Sequence, residues 1–567
     1  MQAVYNIAEI CARHGITDVV LSPGSRSAPL TLAFARHPAL TVRVVPDERA
    51  AAFIGLGIAQ AQRRAVALVC TSGTAGLNYA PAVAEAFFQQ IPLVIFTADR
   101  PPEWIDQLEG QTIRQHNLYG AHAKGAFEFP VDTSHPDAKW YSARIINEAI
   151  NLAQAAPAGP VQVNVPLREP FYPKAGEVIG YDEDVKIIRD NASSVTFAPA
   201  EILELRQLLR DAERIVVVAG QQPVNSELLQ ALYEFAKAWQ VPVVGDIIAN
   251  VNKISGVQRQ DIFLAGLSPY DKAELNPDLL ITFGQSLISK SLKLFLREAA
   301  PAQHWHLQAT GDVADTFRSL TRVVRVPPTV FFQQLLGAAD QNQCIETTAW
   351  QEADAAAAIF LTHFFAIKTP VFNEFSAFRQ VLTAIPENTV LHLANSMAVR
   401  YANILGIPRG RQIEVFANRG TSGIDGCTST AIGAALATPN RPVVLLTGDV
   451  AFFYDRNAFW HNYSTPNLRV VLFNNHGGGI FRIIDGPRQQ PELEEFFETR
   501  QTLTAENTAR DFNLRHFPVS SFDELDSALP VFFAAETGAA ILEVFTDSKT
   551  NAAFFEQYRA AVKHAFS

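Results

Sequence analysis

Cysteine is scarce in this sequence, and its spacing excludes two kinds of structural site. The 567 residues include four cysteines, at positions 11, 70, 344 and 427, and no two of them form a Cys-x-x-Cys pair. Zinc sites and disulfide frameworks use cysteines at short, regular intervals. The sequence therefore predicts neither kind of site, and we expect a reducing, cytoplasmic location.

Runs of positive charge are also missing. Lysine and arginine together number 46 against 57 aspartate and glutamate residues, which gives a formal net charge of −11. Nucleic acids and anionic membranes attract proteins through clustered positive charge. Neither is expected as the main partner, and an anionic substrate would need arginines placed locally.

Long apolar segments are absent as well. The longest candidate, residues 355–367, is short and contains His363, whereas a membrane-spanning helix needs about 20 mainly apolar residues. The first thirteen residues carry Glu9 and Arg13 and no apolar core of the signal-peptide type. The sequence therefore predicts no membrane span and no secretory leader.

Short runs rich in valine, isoleucine and leucine are abundant, and they alternate with helical patterns along the whole chain. Residues 66–70, 92–97, 214–220 and 442–447 are examples. Apolar strands of this kind are buried on both faces, and their alternation with helices is typical of repeated βαβ units. We predict an α/β fold made of doubly wound parallel sheets.

The length and two interruptions of this pattern predict the domain organisation. At about 150 residues per domain, 567 residues correspond to three or four units. Residues 181–200 lack periodicity and are predicted to be a linker, and the region 337–372 marks a second boundary. We predict three α/β domains of similar size, at 1–182, 195–340 and 370–567.

Two predicted strands near the carboxyl end carry oxygen-bearing side chains where they finish. Leu-Leu-Thr-Gly-Asp ends at Asp449 and Val-Val-Leu-Phe-Asn-Asn ends at Asn475, a separation of 26 residues. This separation suits a strand–helix–strand crossover, which brings both side chains to the sheet edge where α/β proteins bind ligands. Because such hard oxygen donors suit Mg²⁺, the pattern predicts a metal-diphosphate site. The alternative is a tight turn followed by an Asn-rich turn, with no metal.

The same spacing resembles the Gly-Asp-Gly to Asn-Asn signature of thiamine-diphosphate (ThDP) enzymes. In that signature the aspartate, the second asparagine and a backbone carbonyl two residues later hold the metal. The resemblance assigns Mg²⁺, or Mn²⁺, to Asp449, Asn475 and Gly477. Val450 stands at the third motif position, where the signature has glycine.

Glu48 is the candidate catalytic residue. It lies where a predicted strand runs into a helix rich in alanine and glycine, and a carboxylate there can simply complement the helix dipole. ThDP enzymes, however, need a carboxyl group against N1′ of the aminopyrimidine ring. That contact favours the imino tautomer, whose 4′ nitrogen removes the C2 proton of the thiazolium. Together with the metal motif, this requirement favours the catalytic interpretation.

Two loops could complete such a cofactor site. The segment Thr71-Ser-Gly-Thr-Ala-Gly76 follows a predicted strand and can bring backbone amides close to a ligand. Ile424, in a loop of otherwise small and polar residues, is a candidate for the apolar wedge between the two cofactor rings. The commoner role of a buried aliphatic side chain is plain packing.

Several motifs together resemble one family, the ThDP-dependent 2-succinyl-5-enolpyruvyl-6-hydroxy-3-cyclohexene-1-carboxylate synthases of menaquinone biosynthesis. They are Ser22-Pro-Gly-Ser-Arg-Ser27, Asp47-Glu48-Arg49, Thr71-Ser-Gly-Thr-Ala75, Thr97-Ala-Asp-Arg-Pro-Pro-Glu103, Asn395-Ser396, Asn418-Arg-Gly-Thr-Ser-Gly-Ile-Asp-Gly426 and Asn474-Asn-His-Gly-Gly-Gly-Ile-Phe481. The resemblance spans nearly the whole chain. It implies the pyruvate-oxidase-like plan of a pyrimidine-binding domain, a central domain and a diphosphate-binding domain. It also implies a homodimer or homotetramer, in which cofactor sites form between the first domain of one subunit and the last of another.

The resemblance implies a reaction and a set of site residues. The reaction is decarboxylation of 2-oxoglutarate, followed by 1,4-addition of the resulting carbanion to isochorismate. Implied contacts to ThDP are Glu48, Thr74, Ser396, Met397, Ile424, Asp449, Val450 and Asn475. Implied contacts to the two substrates are Ser25, Arg26, Arg100, Gln111, Lys290, Arg400, Arg419, Ile480 and Phe481.

Arginine is the residue type that this reaction calls for. Both substrates are dicarboxylates, and guanidinium groups match carboxylates better than lysine does. Arg26, Arg100, Arg400 and Arg419 all occupy loop positions after predicted strands. Taken singly, a loop arginine is usually a solvated charge or a weak surface ion pair.

Three further residues have plain alternatives. Ser25 could be the N-cap of the helix after residue 26, and Lys290 could lie on the polar face of a helix. His476 follows Asn475 and could face solvent or touch a ligand, and we favour solvent.

Other functions fit the sequence less well. Another ThDP-dependent 2-oxoacid decarboxylase or carboligase, such as an acetolactate-synthase-like enzyme, remains the main alternative. Four arginines count against a small monoacid substrate, and the sequence has no adjacent His-His pair of the kind seen in pyruvate-type decarboxylases. A ThDP-binding protein without turnover would not need Glu48. No Gly-x-Gly-x-x-Gly follows the strand at Val216, so we interpret that segment as structural.

Overall fold

The computed structural model describes residues 1–174, 176–191, 195–254, 256–336, 348–367, 371–408 and 411–567. Within these residues the chain forms three successive parallel β-sheets, each built from alternating strands and helices. The predicted α/β architecture of doubly wound parallel sheets is therefore confirmed. The predicted end of the central domain, residue 340, and the predicted start of the last domain, residue 370, lie outside the described residues. The predicted domain limits stay predictions.

The first sheet has six parallel strands in the order β2-β1-β3-β4-β6-β5. Its strands are β1 (Asp18–Leu21), β2 (Thr41–Val44), β3 (Val66–Cys70), β4 (Leu93–Asp99), β5 (Gly125–Glu128) and β6 (Pro160–Pro166). Its helices are α1 (Gln2–Arg13), α2 (Ala28–Ala35), α3 (Glu48–Gln62), α4 (Thr74–Asn78), α5 (Ala80–Gln89) and α6 (Pro136–Gln154).

The central sheet has five parallel strands in the order β11-β10-β9-β7-β8. They are β7 (Ile215–Ala219), β8 (Val243–Gly245), β9 (Leu279–Phe283), β10 (Gln303–Leu307) and β11 (Arg322–Val324). The helices are α7 (Pro199–Asp211), α8 (Ser226–Trp239), α9 (Gln260–Gly266), α10 (Pro269–Glu274), α11 (Lys290–Ala299) and α12 (Pro328–Gln334).

The last sheet has six parallel strands in the order β13-β12-β14-β15-β17-β16. They are β12 (Val390–Leu393), β13 (Glu414–Ala417), β14 (Val443–Gly448), β15 (Leu468–Asn474), β16 (Arg515–Val519) and β17 (Ala540–Phe545). The helices are α13 (Ala349–Ala366), α14 (Glu374–Ala384), α15 (Met397–Leu405), α16 (Cys427–Ala437), α17 (Asp449–Tyr454), α18 (Ile480–Ile483), α19 (Glu506–Asp511), α20 (Phe522–Phe533) and α21 (Ser548–Phe566).

Alternation along the strands explains why each sheet is buried on both faces. In β1, Val19 and Leu21 belong to one hydrophobic cluster while Val20 belongs to another. Successive side chains of a strand point to opposite faces, so an all-apolar strand needs a helix layer on each side. Many helices begin at polar caps, such as Asp47 before α3 and Asn373 before α14.

The first and last domains are locked together through α3 and α16. A Cβ atom on Gly57 would lie 2.1 Å from the backbone oxygen of Thr430, and one on Gly433 would lie 2.2 Å from that of Ile54. Glycine is required at such a close approach of two helix backbones. The two domains of one chain therefore share a continuous core, in which residues of both sheets pack together.

Two sequence expectations about connecting segments can be compared with the structure. The segment after residue 181, predicted as a linker, packs back along the first domain: the Tyr181 hydroxyl donates to the backbone oxygen of Ala33, and Asn6 donates to Asp182. The apolar stretch at 355–367 lies largely in α13. Among the described helices, none combines the length and apolar character needed to cross a membrane.

Candidate active site

A cavity of about 200 Å³ lies at the carboxyl edge of the last sheet. It sits where the strand order reverses between β12 and β14, the position at which α/β sheets bind ligands. Nine of the predicted site residues line it: Ser396, Met397, Ile424, Asp449, Val450, Asn475, Gly477, Ile480 and Phe481. The cavity thus brings together Asp449 and Asn475, which the sequence analysis placed at the ends of two separate strands.

Asp449 is fixed by three hydrogen bonds at the start of α17. Its Oδ2 accepts from the backbone N–H of Gly477 at 2.7 Å and from Gln501 Nε2 at 2.8 Å, and its Oδ1 accepts from the N–H of Val450 at 2.8 Å. Burial raises the pKa of Asp449 to about 6, while the bonds from Gln501, Val450 and Gly477 act in the opposite direction. The carboxylate is held rigidly at the cavity wall, as expected of a cation ligand.

Asn475 presents an oxygen that the rest of the described chain leaves without a partner. Its Nδ2 donates to Glu374 Oε2 at 2.8 Å, while its Oδ1 is buried and accepts no hydrogen bond from the described residues. Buried amide oxygens are almost always satisfied by protein, water or an ion. The orientation set by Glu374 therefore leaves Oδ1 available for a cation.

Glu374 belongs to this site, and sequence reasoning missed it. It is the first residue of α14, and its Oε2 accepts from Asn475 and from Asn551 Nδ2 at 3.1 Å. Burial raises its pKa to about 7, with a bond from Asn475 opposing the shift and the charge of Asp449 adding to it. In the sequence, an Asn-Glu pair before a helix indicates only a cap and a favourable dipole contact, so no local signal pointed to this role.

The donor set fits a divalent cation only together with ligand oxygens. The described residues contain no group of three or more His, Cys, Asp or Glu side chains that could hold a metal ion. Asp449, Asn475 Oδ1 and the Gly477 carbonyl, which accepts one bond from the N–H of Gly479, would supply three oxygens. Mg²⁺ prefers six oxygens, commonly including substrate phosphates, so these residues suit a metal bound with a diphosphate.

The start of α15 offers amide donors on the same wall. Ser396, at the N-cap of this helix, has φ 71°, and Ser396, Met397 and Ala398 line the cavity. The amino terminus of a helix presents unpaired N–H groups and a positive dipole end to an anion. A left-handed conformation at a non-glycine residue is unusual and is typical of ligand-binding positions.

The loop carrying Ile424 is held by residues of the first and last domains. Asn395 Nδ2 donates to the backbone oxygens of Asn418 and Gly423, and the buried Glu85 of α5 accepts from the N–H groups of Gly420 and Thr421 at 2.8 and 2.6 Å. Ile424 is half-buried and packs against the core of the last domain. These contacts fix the apolar side chain at the cavity wall.

The four predicted arginines form two pairs instead of one cluster within the chain. The prediction that all four occupy loops is wrong for Arg400, which lies in α15. Arg400 and Arg419 lie on the last domain, where Arg400 donates to the Ser396 carbonyl at 2.5 Å and Arg419 to Asn395 Oδ1 at 3.1 Å. Burial lowers the pKa of both groups, and that of Arg400 is lowered further by the charge of Arg419. Two neighbouring cations whose charges act on each other are suited to an anionic partner.

The second pair belongs to the first domain. Arg26 donates to the Leu167 carbonyl at 3.0 Å and stacks over the Phe171 ring at 4.5 Å, and Arg100 donates to the Gly110 carbonyl at 3.2 Å. Burial lowers the pKa of Arg26, and the charge of Arg100 adds to that effect. Neither Arg26 nor Arg100 is among the described residues that line the cavity.

Loops that carry Ser25, Thr74 and Gln111 pack on one another near this second pair. A Cβ atom on Gly24 would meet the Thr71 side chain at 2.2 Å, and one on Gly73 would lie 3.4 Å from Gln111. The alternative role of Ser25 as a helix cap is wrong, because Ser27 occupies the N-cap of α2 and Ser25 is exposed in the preceding loop.

Glu48 is the first residue of α3 and is partly exposed. Contacts to the last domain hold this helix start: Asn457 Nδ2 donates to Asp47 at 2.9 Å, and Arg49 donates to the Tyr454 carbonyl at 2.9 Å while stacking over its ring. Glu48 does not line the cavity of its own chain, whose described lining residues all lie between 374 and 499.

Lys290 lies exposed on a helix, as its plain alternative predicted, whereas His476 differs from the expectation. Lys290 is exposed at the start of α11, whereas Lys293 is partly buried and burial lowers its pKa, with the charges of Asp246 and Arg419 acting in opposite directions. The expectation that His476 faces solvent is wrong: its ring stacks on Phe545 with centroids 6.0 Å apart, and its Nδ1 is buried. The positions of the motifs in the sequence do not predict which side of a helix is buried or how a side chain packs.

Comparison with known proteins places these features in context. Three family profiles match in order: "Thiamine pyrophosphate enzyme, N-terminal TPP binding domain" at residues 1–120, "Middle domain of thiamine pyrophosphate" at 197–393 and "Thiamine pyrophosphate enzyme, C-terminal TPP binding domain" at 398–544. The order agrees with the three sheets. The predicted site residues lie within these ranges except Ser396 and Met397, which fall between the second range and the third.

Curated relatives align over almost their full lengths. A protein of Cytophaga hutchinsonii is 44% identical over 100% of both chains, and one of Flavobacterium johnsoniae is 37% identical over 98% of this chain and 97% of its own. One of Porphyromonas gingivalis is 38% identical over 96% of this chain and 94% of its own. All three are named "2-succinyl-5-enolpyruvyl-6-hydroxy-3-cyclohexene-1-carboxylate synthase".

A solved structure shares the fold. Benzoylformate decarboxylase from Polynucleobacter necessarius superposes with a TM-score of 0.70 over 97% of this chain and 99% of its own, at 17% sequence identity. At this identity the likeness concerns the fold alone. It shows that three successive α/β domains occur in the same arrangement in a second protein.

Proposed function

Because the chain belongs to the family of 2-succinyl-5-enolpyruvyl-6-hydroxy-3-cyclohexene-1-carboxylate synthases, we propose that it decarboxylates 2-oxoglutarate and adds the product to isochorismate. The chain is a thiamine-diphosphate enzyme, since profiles of both cofactor-binding domains match it. The proposed reaction is a carbon–carbon bond-forming transfer in menaquinone biosynthesis, and the cytoplasm is its proposed location.

The proposed metal site uses Asp449, Asn475 and Gly477. The buried Oδ1 of Asn475, which has no partner in the described chain, is the observation that carries this assignment. The N–H groups at the start of α15 would bind the diphosphate, and Asp449, Asn475 and Gly477 would hold Mg²⁺ or Mn²⁺. When bound, ThDP supplies the stabilisation of negative charge that decarboxylation of a 2-oxoacid requires.

Apolar and acidic residues have separate proposed roles toward the two cofactor rings. Ile424, Ile480 and Phe481 line one cavity and would exclude water from the reacting atoms. Glu48 would hold a proton at N1′ of the pyrimidine. Because the described lining residues belong to the last domain, we propose that Glu48 is supplied by a second copy of the chain, in a homodimer or a higher oligomer.

The two arginine pairs would recognise the two diacids. Arg400 and Arg419 donate hydrogen bonds to Ser396 and Asn395, which line the cavity. Arg26 and Arg100 would come from the first domain of the second copy. Guanidinium groups bind carboxylates through paired hydrogen bonds and keep their charge when partly desolvated. Ser25, Gln111 and Lys290 would add polar contacts around them.

Substrate selectivity tests this proposal. Release of CO₂ should be measured from 2-oxoglutarate and from pyruvate, each with and without isochorismate. We expect 2-oxoglutarate to be preferred by at least about 100-fold in kcat/KM, because its second carboxylate, which pyruvate lacks, can accept two charge-assisted hydrogen bonds worth about 1.5–3 kcal/mol each. Preference for pyruvate would instead support an acetolactate-synthase-like activity.

A further inference from the structure

A buried polar cluster joins the central and last domains directly behind the residues proposed to bind substrate. It consists of Asp246 after β8, Asp261 in α9 and Asn403 in α15. Asp246 is 2% exposed and Asn403 is 1% exposed. Buried polar groups of this kind destabilise a fold unless they are paired, so their contacts show what the cluster holds in place.

Asn403 ties α15 to the central domain with both ends of its amide. Its Nδ2 donates to Asp261 Oδ2 at 2.8 Å and to Asp246 Oδ1 at 3.2 Å, and its Oδ1 accepts from the N–H of Ile247 at 2.9 Å. Arg400 precedes Asn403 by three residues on the same helix, which is less than one turn. The contacts of Asn403 therefore fix the helix turn from which Arg400 projects.

The two carboxylates fix the loop that leads into Lys290. Asp246 Oδ2 accepts from the backbone N–H groups of Ile288 and Ser289, and Asp261 Oδ1 accepts from the Ser289 hydroxyl. Ser289 is also the N-cap of α11, where its hydroxyl oxygen accepts from the N–H of Leu292. Lys290 follows immediately, so its backbone position depends on the same carboxylates.

The two carboxylates of the cluster also place negative charge near Arg400, Arg419 and Lys293. The charge of Asp261 acts on Arg400, and the charge of Asp246 acts on Arg419 and Lys293. Without these carboxylates, Arg400 and Arg419 would face each other in a partly desolvated region with less compensation. Like charges held close together in such a region repel strongly.

We propose that Asp246, Asp261 and Asn403 are positioning residues that set the separation between Lys290 of the central domain and Arg400 of the last domain. This separation selects a substrate with two carboxylates over one with a single carboxylate. The inference rests on the proposed function, because it assumes that Arg400 and Lys290 contact the substrate.

The test compares a diacid with a matched monoacid. The ratio of kcat/KM for 2-oxoglutarate to that for 2-oxopentanoate, which has a methyl group in place of the second carboxylate, should be measured in the holoenzyme carrying Asn403→Ala. We expect the ratio to fall at least about 10-fold, mainly through a higher KM for the diacid, because only the diacid uses the displaced cations. Asn147→Ala is the control: Asn147 is fully buried and has four hydrogen bonds, but lies in α6 of the first domain.

A second variant keeps the test informative if Asn403→Ala folds poorly. Asp246→Asn preserves the size of the side chain but replaces one acceptor oxygen by an NH₂ donor. The asparagine therefore cannot accept all four hydrogen bonds that N–H groups donate to Asp246. It should lower the same ratio, while Asn147→Ala should leave the ratio unchanged. An unchanged ratio in a folded Asn403→Ala or Asp246→Asn enzyme would overturn the inference. A wild-type enzyme without preference for the diacid would instead contradict the proposed function.

Discussion

At the scale of single residues, the orientation of one amide carries the proposed metal site. The Nδ2 of Asn475 is held by Glu374, which leaves its Oδ1 buried and without a partner in the described chain. Desolvating an oxygen in this way is unfavourable unless a ligand uses it. Binding of a metal ion at Asn475 Oδ1 would offset the unfavourable desolvation of this oxygen.

Replacing Asn475 tests this residue directly. We expect Asn475→Ala to weaken Mg²⁺-dependent ThDP uptake, measured by calorimetry, by at least about 10-fold, because an oxygen ligand is lost. Asn551→Ala is the matched control, since it also removes a donor from Glu374 but no cavity oxygen. Equal weakening in both variants would show that the support of Glu374 matters, and that the Asn475 oxygen is not a ligand.

Arg400 tests recognition of the diacid. We expect Arg400→Ala to lower kcat/KM for 2-oxoglutarate by about 10- to 100-fold, the effect of losing a charge-assisted carboxylate contact. Its melting temperature should change little, because the hydrogen bond that Arg400 donates goes to the Ser396 carbonyl at the start of its own helix. Arg510→Ala, on the surface of α19, makes the same change in net charge and should leave activity intact. A large loss of stability in Arg400→Ala with unchanged kcat/KM would identify a structural arginine.

At the scale of elements, the packing of α3 on α16 fixes where Glu48 lies relative to the last domain. In the middle of an exposed helix, replacing glycine by alanine normally stabilises the protein by about 1 kcal/mol. Gly57→Ala should do the opposite and destabilise it by about 1–3 kcal/mol, because the new Cβ overlaps the Thr430 carbonyl. Urea unfolding measures this, with Gly180→Ala as control, since a Cβ there meets no described atom within 4 Å. Unchanged stability in Gly57→Ala would show that the two helices separate without loss.

His392, in the inner strand β12, makes a contribution to stability that is lost in acid. Burial lowers the pKa of His392 to about 3, well below its ordinary value of 6.5. His392 is protonated more readily in the unfolded state than in the folded state, so its contribution to stability is present above about pH 6.5 and is lost as the pH falls below that value. This linkage corresponds to about 2 kcal/mol between pH 7 and pH 5. We expect His392→Phe to remove this part of the pH dependence in urea unfolding at the two pH values, and an unchanged dependence would contradict the assignment.

The sequence predicted the parts of the site that obey local rules. The ends of β14 and β15 carried Asp449 and Asn475, and strand-end chemistry in a parallel sheet follows from apolar runs and spacing alone. Glu374 escaped because its role arises from contacts with Asn475 and Asn551, distant in sequence. The partial burial of Lys293, beside the exposed Lys290, depends on helix phase and domain packing, which motif positions do not contain.

At the scale of the whole molecule, the predicted residues fall into two groups on different domains. The last domain carries the cavity with Asp449 and Asn475, while the first domain carries Glu48, Arg26 and Arg100. Within one chain, α3 and α16 fix these domains in an arrangement that keeps Glu48 off the described cavity wall. This arrangement is the reason for our proposal that a second copy of the chain supplies Glu48 and completes the site.

Subunit mixing tests this central claim most directly. Glu48→Gln and Asp449→Ala chains should each be inactive alone, and should be co-expressed and assayed for conversion of 2-oxoglutarate and isochorismate. In a mixed dimer one site carries both substitutions and the other carries neither, so we expect random mixing to restore about a quarter of wild-type activity. Restored activity at that level would support a site shared between subunits. No recovery in verified mixed dimers would mean that each chain builds its own site, and would contradict the account.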